Sequence, residues 1–390
     1  LPACLNLVGY FELLITGIGL VSALGTSLED SWQKLLMGKS GIKIYQPFPE
    51  LPPLPLGLIS SQPAELSSLT QMVVNDAIRD AGLVPPLADC AVVIGSSRSY
   101  QGSWEMLARR MCEQNSPESP VVLTTWLDTL PHINAITAAR QIGALGAVLA
   151  PMAACGTGIW AIVQALLLLE TGQCQRAIAG AVEAPITPLT LSGFRQMGAL
   201  ATTGAYPFDL HRDGLALGEG GAVFVLETPE LAQQRQAKVY GSIYGFGLTT
   251  DAYHPNQPEP EGRSAIAAIQ QCLNRSGLTP ADIDYIHAHG TATILNDRIE
   301  SMVIRQLFPA EVPVSSTKGS TGHTLGASGA LGVAFSLKAL QEQILPPCVG
   351  LQQPEFDLNF VQVASKSQVQ RVLCSSFGFG GQNAVLVVGK

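Results

Sequence analysis

A chain of 390 residues, 47% of them hydrophobic and 13% charged, can bury a large core while carrying about half the usual charged share of a soluble protein. So little charge implies a small exposed surface per residue, as in a subunit that hides further area in an oligomer. The net charge is −8 and no basic block interleaved with aromatics is present, which argues against nucleic acid as a partner.

Eight cysteines are scattered through the chain without CxxC pairing, so neither a disulfide scaffold nor a zinc site is expected, and a reducing, cytoplasmic compartment fits best. The stretch 141–169 has no formal charge and is long enough for a membrane span. Pro151 and the small-residue cluster 153–158 interrupt it, so no span is predicted. No basic region followed by an apolar core opens the chain, so no secretory signal is evident.

In chain order, 13–16 reads as a buried strand running into Gly17-Ile18-Gly19, followed by a helix carrying Trp32, Leu35 and Leu36. Five prolines between Pro47 and Pro55 oppose regular structure over 43–63. Helical periodicity returns over 66–81, and 90–94 is a strand. Then 146–152 is extended, 153–158 turns sharply, 159–169 forms an apolar helix and 176–180 a strand. The C-terminal half repeats the pattern: helix 264–272, strand 284–288, helix 296–307, strand 312–316, a glycine-rich corner at 319–329, helix 330–340, and strands 372–374 and 384–388. This alternation predicts an α/β sandwich with buried parallel strands and hints at an internal duplication.

Four places can carry chemistry. Cys155 lies at the mouth of a helix, where unpaired N–H groups and the helix dipole lower a thiol pKa; the alternative is a buried structural cysteine. His289 follows a strand end, and with His287 it mimics a metal motif, although residues two apart point to opposite strand faces. His323 closes Ser316-Thr317-Lys318-Gly319-Ser320-Thr321-Gly322, a stretch without the order of a phosphate loop; the alternative there is a tight turn. Gly378-Phe379-Gly380-Gly381 can aim backbone N–H groups at an oxyanion, or be a mere turn.

Taken together, ordered blocks across nearly the whole chain resemble the decarboxylating β-ketoacyl-acyl carrier protein synthases, of the type that elongates longer acyl chains. They run through Ile15 to Gly19, Ala154-Cys155-Gly156-Thr157-Gly158, Gly180 to Ala184, Pro207-Phe208-Asp209, Arg212-Asp213-Gly214, Gly218-Glu219-Gly220, Asp251 to His254, His289-Gly290-Thr291, Asn296-Asp297, Glu300, Ser316-Thr317-Lys318, Gly322-His323 and Phe377 to Gly381.

The resemblance implies a thiolase-like five-layer sandwich of two similar α/β halves, 1–235 carrying the nucleophile and 236–390 carrying two catalytic histidines. It implies acylation of Cys155, with His289 and His323 acting on a malonyl thioester, Lys318 and Glu300 in support, and Phe379 as the gate to the acyl site. The backbone N–H groups of Cys155 and Phe379 would form the oxyanion hole. No cofactor or metal is implied; the partners would be an acyl carrier protein bearing acyl or malonyl phosphopantetheine and a second copy of the chain. Fatty-acid elongation is the expected reaction. A specialised polyketide or glycolipid ketosynthase and a non-catalytic chain-length subunit are the alternatives.

Several positions depart from the pattern: Ala153, Gly156, His287, Ser375 and Gln382. Cys374 resembles the second cysteine of non-decarboxylating relatives, but its place before Phe377 suits a structural residue. The segment 96–147 follows the pattern only loosely, so acyl-chain length is not legible there. The lead 1–11 departs from it as well.

Overall fold

The computed structural model describes residues 13–113 and 126–390; the divergent lead and the middle of the 96–147 segment lie outside the described residues. Ten strands hydrogen-bond into one ladder. Five belong to the first half: β1 (Leu13–Val21), β2 (Ala91–Gly95), β3 (Val148–Leu149), β4 (Arg176–Glu183) and β5 (Gly220–Glu227). Five belong to the second: β6 (Gly241–Thr250), β7 (Tyr285–His287), β8 (Val314–Ser315), β9 (Arg371–Gly378) and β10 (Gln382–Gly389).

The first five run in the order β3-β2-β4-β5-β1 and the second five in the order β8-β7-β9-β10-β6. By position within each half, both orders are third, second, fourth, fifth, first. Parallel and antiparallel pairings match as well: β2 is parallel to β3 and β4, β7 is parallel to β8 and β9, and the fifth strand of each half is antiparallel to both neighbours. The hint of duplication in the sequence is thus a repeated topology. The halves join where Leu13, Leu14 and Ile15 of β1 pair with Ile243, Ser242 and Gly241 of β6.

Five helices fix the layers: α1 (Leu66–Asp80), α2 (Thr157–Glu170), α3 (Arg263–Ser276), α4 (Ile294–Leu307) and α5 (Ser328–Glu342). α2 and α5 lie between the two five-strand halves of this sheet and touch each other, α1 covers the outer face of the first half's strands, and α3 covers that of the second. A central helix must be apolar around its whole circumference, and α5 is buried at every residue from Ser328 to Leu340. α2 joins it in one core with Ile159, Ile162, Leu166, Leu331 and Phe335. This is the five-layer sandwich expected from the resemblance. No helix among the described residues is long and apolar enough to cross a membrane; the uncharged stretch is divided among the end of a helix, β3 and α2.

The outer layers approach closely because the first strand of each half carries a Gly-x-Gly, Gly17 with Gly19 and Gly245 with Gly247. A Cβ on Gly19 would lie 1.9 Å from the Val73 carbonyl oxygen of α1, and one on Gly247 would lie 1.8 Å from that of Ala268 in α3. β1 therefore continues through Gly17-Ile18-Gly19 to Val21, beyond the predicted 13–16. The proline-rich segment also differs from expectation. Lys43–Tyr45 and Leu54–Gly57 pair antiparallel, and the latter pairs with Leu217–Gly218. Pro55 sits in the central strand of this three-stranded sheet, opposite Ile44, at the end that the pairing with Leu217–Gly218 does not reach.

Candidate active site

The turn at 153–158 presents Cys155 just before α2. Ala154 holds φ +46°, a left-handed conformation that costs a residue with a Cβ about 1 kcal/mol or more. Thr157 clamps it: its Oγ1 accepts from Ala153 N at 2.9 Å and donates to the Ala154 carbonyl at 2.7 Å. Ser376 Oγ donates to the Cys155 carbonyl at 2.8 Å, tying the turn to β9. The β9–β10 hairpin then closes on it, since a Cβ on Gly378 would sit 2.9 Å from Cys155 N. The glycine corner is thus more than a turn between edge strands: it lies within the sheet, against the cysteine.

His289 follows β7. Glu300 of α4 accepts from His289 N at 2.6 Å and Gly290 N at 2.7 Å, and Asn296 and Ser375 donate to it at 3.3 and 3.0 Å. Ser375, a departure from the family pattern, thereby stays within the network. Asp297, given no role by the sequence, accepts from Thr291 N at 3.0 Å and Phe208 N at 2.7 Å. Together the two carboxylates fix the backbone after β7. His323 is held by its own backbone, donating to Ala216 O at 2.7 Å and accepting from Gly218 N at 3.0 Å.

The Cys155 sulfur and a ring nitrogen from each of His289 and His323 lie within 4.8 Å of one another. The imidazoles meet edge to face with centroids 5.3 Å apart. All three residues line a cavity of about 260 Å³, together with Phe194, Phe377 and Phe379. The backbone therefore assembles three of the sequence-predicted residues at one point and sets Lys318 behind them. Lys318 Nζ is buried and donates to the His289 carbonyl. It forms no ion pair with Glu300 among the described residues, and its burial leaves no place for a phosphate at that loop.

Electrostatics favour neutral groups. Burial, then the Lys318 charge, holds both His289 and His323 well below the ordinary 6.5. Burial also drives Lys318 down, against the charge of Glu300, and Glu300 up, against the N–H groups of Gly290 and His289. The Cys155 thiol is pushed up to about 11 by burial, against the pull of Lys318, Arg98 and the Phe379 N–H. The thiol thus lies above its ordinary value because it is buried, in contrast to the lowered value expected from its place before the helix.

His287 takes no part. Its ring lies beneath α5 near Gly332, with Nε2 3.1 Å from Thr317 Oγ1 and Nδ1 3.8 Å from Cys374 Sγ. The metal pairing of His287 with His289 is therefore not formed, and Cys374 is a core thiol pushed to about 12 by burial. Cys155, His289 and His323 are the donor set that could hold an ion among the described residues. Both histidines have a buried Nδ1 without a hydrogen-bond partner.

A thiol at a strained turn before a central helix, facing two histidines from the other half, is the arrangement of thiolase-fold condensing enzymes. A chain of a complex between a type II polyketide acyl-carrier protein and its ketosynthase superposes with a TM-score of 0.92 at 26% identity, covering 98% of this chain and 100% of the other. A β-ketoacyl synthase from Burkholderia phymatum gives 0.86 at 25% identity, covering 97% and 99%. Residues 65–232 match the β-ketoacyl synthase N-terminal domain and residues 240–352 the β-ketoacyl synthase C-terminal domain. The 3-oxoacyl-[acyl-carrier-protein] synthases 2 of Coxiella burnetii and Synechocystis are each 33% identical over 97% of this chain and 98% of their own length. The chain belongs to the β-ketoacyl synthase family.

Proposed function

We propose that this chain is a decarboxylating β-ketoacyl-acyl carrier protein synthase of fatty-acid elongation. The observation that carries the reading is the convergence of one thiol and two neutral imidazoles at a cavity of about 260 Å³. Cys155 attacks the thioester carbonyl of an acyl group on the carrier's phosphopantetheine. The new S–acyl bond forms as the pantetheine C–S bond breaks, and the thiol proton leaves with the pantetheine sulfur. Backbone N–H groups of Cys155 and Phe379 stabilise the oxyanion, in keeping with the Phe379 N–H facing the sulfur.

A malonyl thioester then occupies the same cavity. His289 and His323 donate hydrogen bonds to its carbonyl, stabilising the enolate as the bond to carbon dioxide breaks. The enolate carbon attacks the acyl carbonyl on Cys155, and a 3-oxoacyl chain leaves on the carrier while the released thiolate takes a proton from solvent. Lys318, Glu300 and Asp297 are positioning residues that fix the backbone carrying His289.

We assign the boundary between halves to 235/236, which places Cys155 in the first and both histidines in the second. A homodimer is supported by apolar side chains around β3, whose strand is the sheet's outer member: Leu145, Met152, Val148 and Leu149 are all exposed. The free cysteines suit a reducing compartment, the cytoplasm. The test is carbon dioxide release from malonyl-acyl carrier protein. His289→Ala or His323→Ala lowers it by about 100-fold or more while acyl loading on Cys155 persists; release at the native rate in a folded variant contradicts the assignment.

A further inference from the structure

The β7–β8 ladder ends where Ala288 N donates to Ser315 O at 2.9 Å. From there three successive side chains continue the connection between the corners that carry His289 and His323. Ser316 Oγ donates to the Gly290 carbonyl at 2.8 Å. Thr317 Oγ1 lies 3.1 Å from His287 Nε2, and Lys318 Nζ donates to the His289 carbonyl. The first and third bonds hold backbone beside the cavity, whereas the middle one reaches back to a ring outside it. His287 is 2% exposed, and the fold makes room for its ring. A Cβ on Gly332 of α5 would sit 2.8 Å from Cε1 and Nδ1, and Cys374 Sγ stands 3.8 Å from Nδ1. Burial, then the Lys318 charge, push the imidazole down to about 3, so the ring is neutral and offers one donor and one acceptor nitrogen.

Thr317 is buried, so removing the His287 ring would leave its hydroxyl without a partner, a cost that the segment 316–318 can relieve only by moving. Thr317 immediately precedes Lys318, whose charge acts on both His289 and His323. The charged or titratable groups facing those two rings are Lys318, Cys155, His287 and each other; those facing Lys318 are Glu300, Cys155, Cys374 and Asp297. Of all these, Lys318 alone adjoins Thr317 in the chain. A shift of the segment therefore reaches the two catalytic rings chiefly through the ammonium.

We propose that His287 is a positioning residue for decarboxylation: through Thr317 it holds the segment 316–318 against the end of β7 and thereby keeps the Lys318 ammonium on the His289 carbonyl. The proposal rests on the decarboxylating reading given above and extends it to a residue that never meets the substrate. Its test is the pH dependence of carbon dioxide release from malonyl-acyl carrier protein by the whole protein. With Lys318 displaced, its repulsion of an imidazolium at His289 and His323 weakens, so those rings protonate at higher pH. His287→Leu is expected to move the acid limb of the profile upward by about one pH unit and to lower kcat at neutral pH about tenfold, with KM little changed. His287→Gln, whose amide reaches the place of Nε2, restores both. Thr317→Val cuts the same bond from its other end; it should shift the limb equally and add nothing in the double variant. An unshifted acid limb in folded His287→Leu or folded Thr317→Val, whatever their rates, marks a role in packing alone and overturns the proposal. So does a shift that His287→Gln fails to reverse. Absence of carbon dioxide release from the wild-type protein overturns instead the decarboxylating reading itself.

Discussion

His289 and His323 come from different turns of the second half, yet the same two forces act on both. Burial removes the solvation an imidazolium needs, and the Lys318 charge adds repulsion. With the protonated form appearing only well below pH 6.5, both rings are neutral throughout the range of about pH 6 to 8. Carbon dioxide release by the wild-type protein is therefore expected to stay flat across that range and to fall only in more acid solution. A sigmoid loss with its midpoint near 6.5 would show that one ring titrates as an exposed histidine does. Cys155 obeys the same rule with the opposite consequence. Its buried thiol holds its proton at neutral pH, so loading must couple attack to proton departure.

At the scale of elements, the paired glycines set how near a helix comes to a sheet. Gly19→Ala and Gly247→Ala place a methyl carbon against a helix carbonyl, and overpacking of that kind costs about 1–3 kcal/mol. Each variant should unfold at a lower denaturant concentration than the wild type. Gly193→Ala, in the helix Pro188–Gln196 with open space around its Cβ, should be neutral or stabilising by up to about 1 kcal/mol. Equal stability of all three variants would contradict the packing described.

Element type was largely legible in the sequence because α2 and α5 are apolar runs too long for strands, bounded by small residues. The three principal site residues were legible because each sits in a short block of fixed order. What could not be read depended on partners far along the chain. β1 runs on through Gly17 and Gly19 because α1 packs there, a contact across some sixty positions of sequence. Asp297 serves Phe208, 89 positions away, by a bond no local pattern reveals. Arg98 was visible only as part of a divergent segment; its contact with the Phe194 ring, far along the chain, was not. The thiol pKa was misjudged because local sequence displays the helix mouth but not the burial.

At the scale of the molecule, the small-residue corners of the two halves pack against each other, Gly158 against Gly326 and Ala330, so each half supplies part of the chemistry. The same architecture leaves β3 at the outer margin of the sheet, with Val148 and Leu149 exposed at 37% and 38%. Strand edges with apolar side chains pair readily with a second chain. Light scattering is expected to give a particle of twice 41.1 kDa, and Leu149→Asp to shift it toward the single-chain mass; a wild-type monomer would refute the dimer. The central claim is that the thiol at the junction of the halves carries the acyl group. Incubation with acyl-loaded carrier protein, followed by intact-mass measurement, tests it most directly. The wild-type chain should gain one acyl mass and Cys155→Ala none, whereas an undiminished adduct on the folded alanine variant would contradict the account.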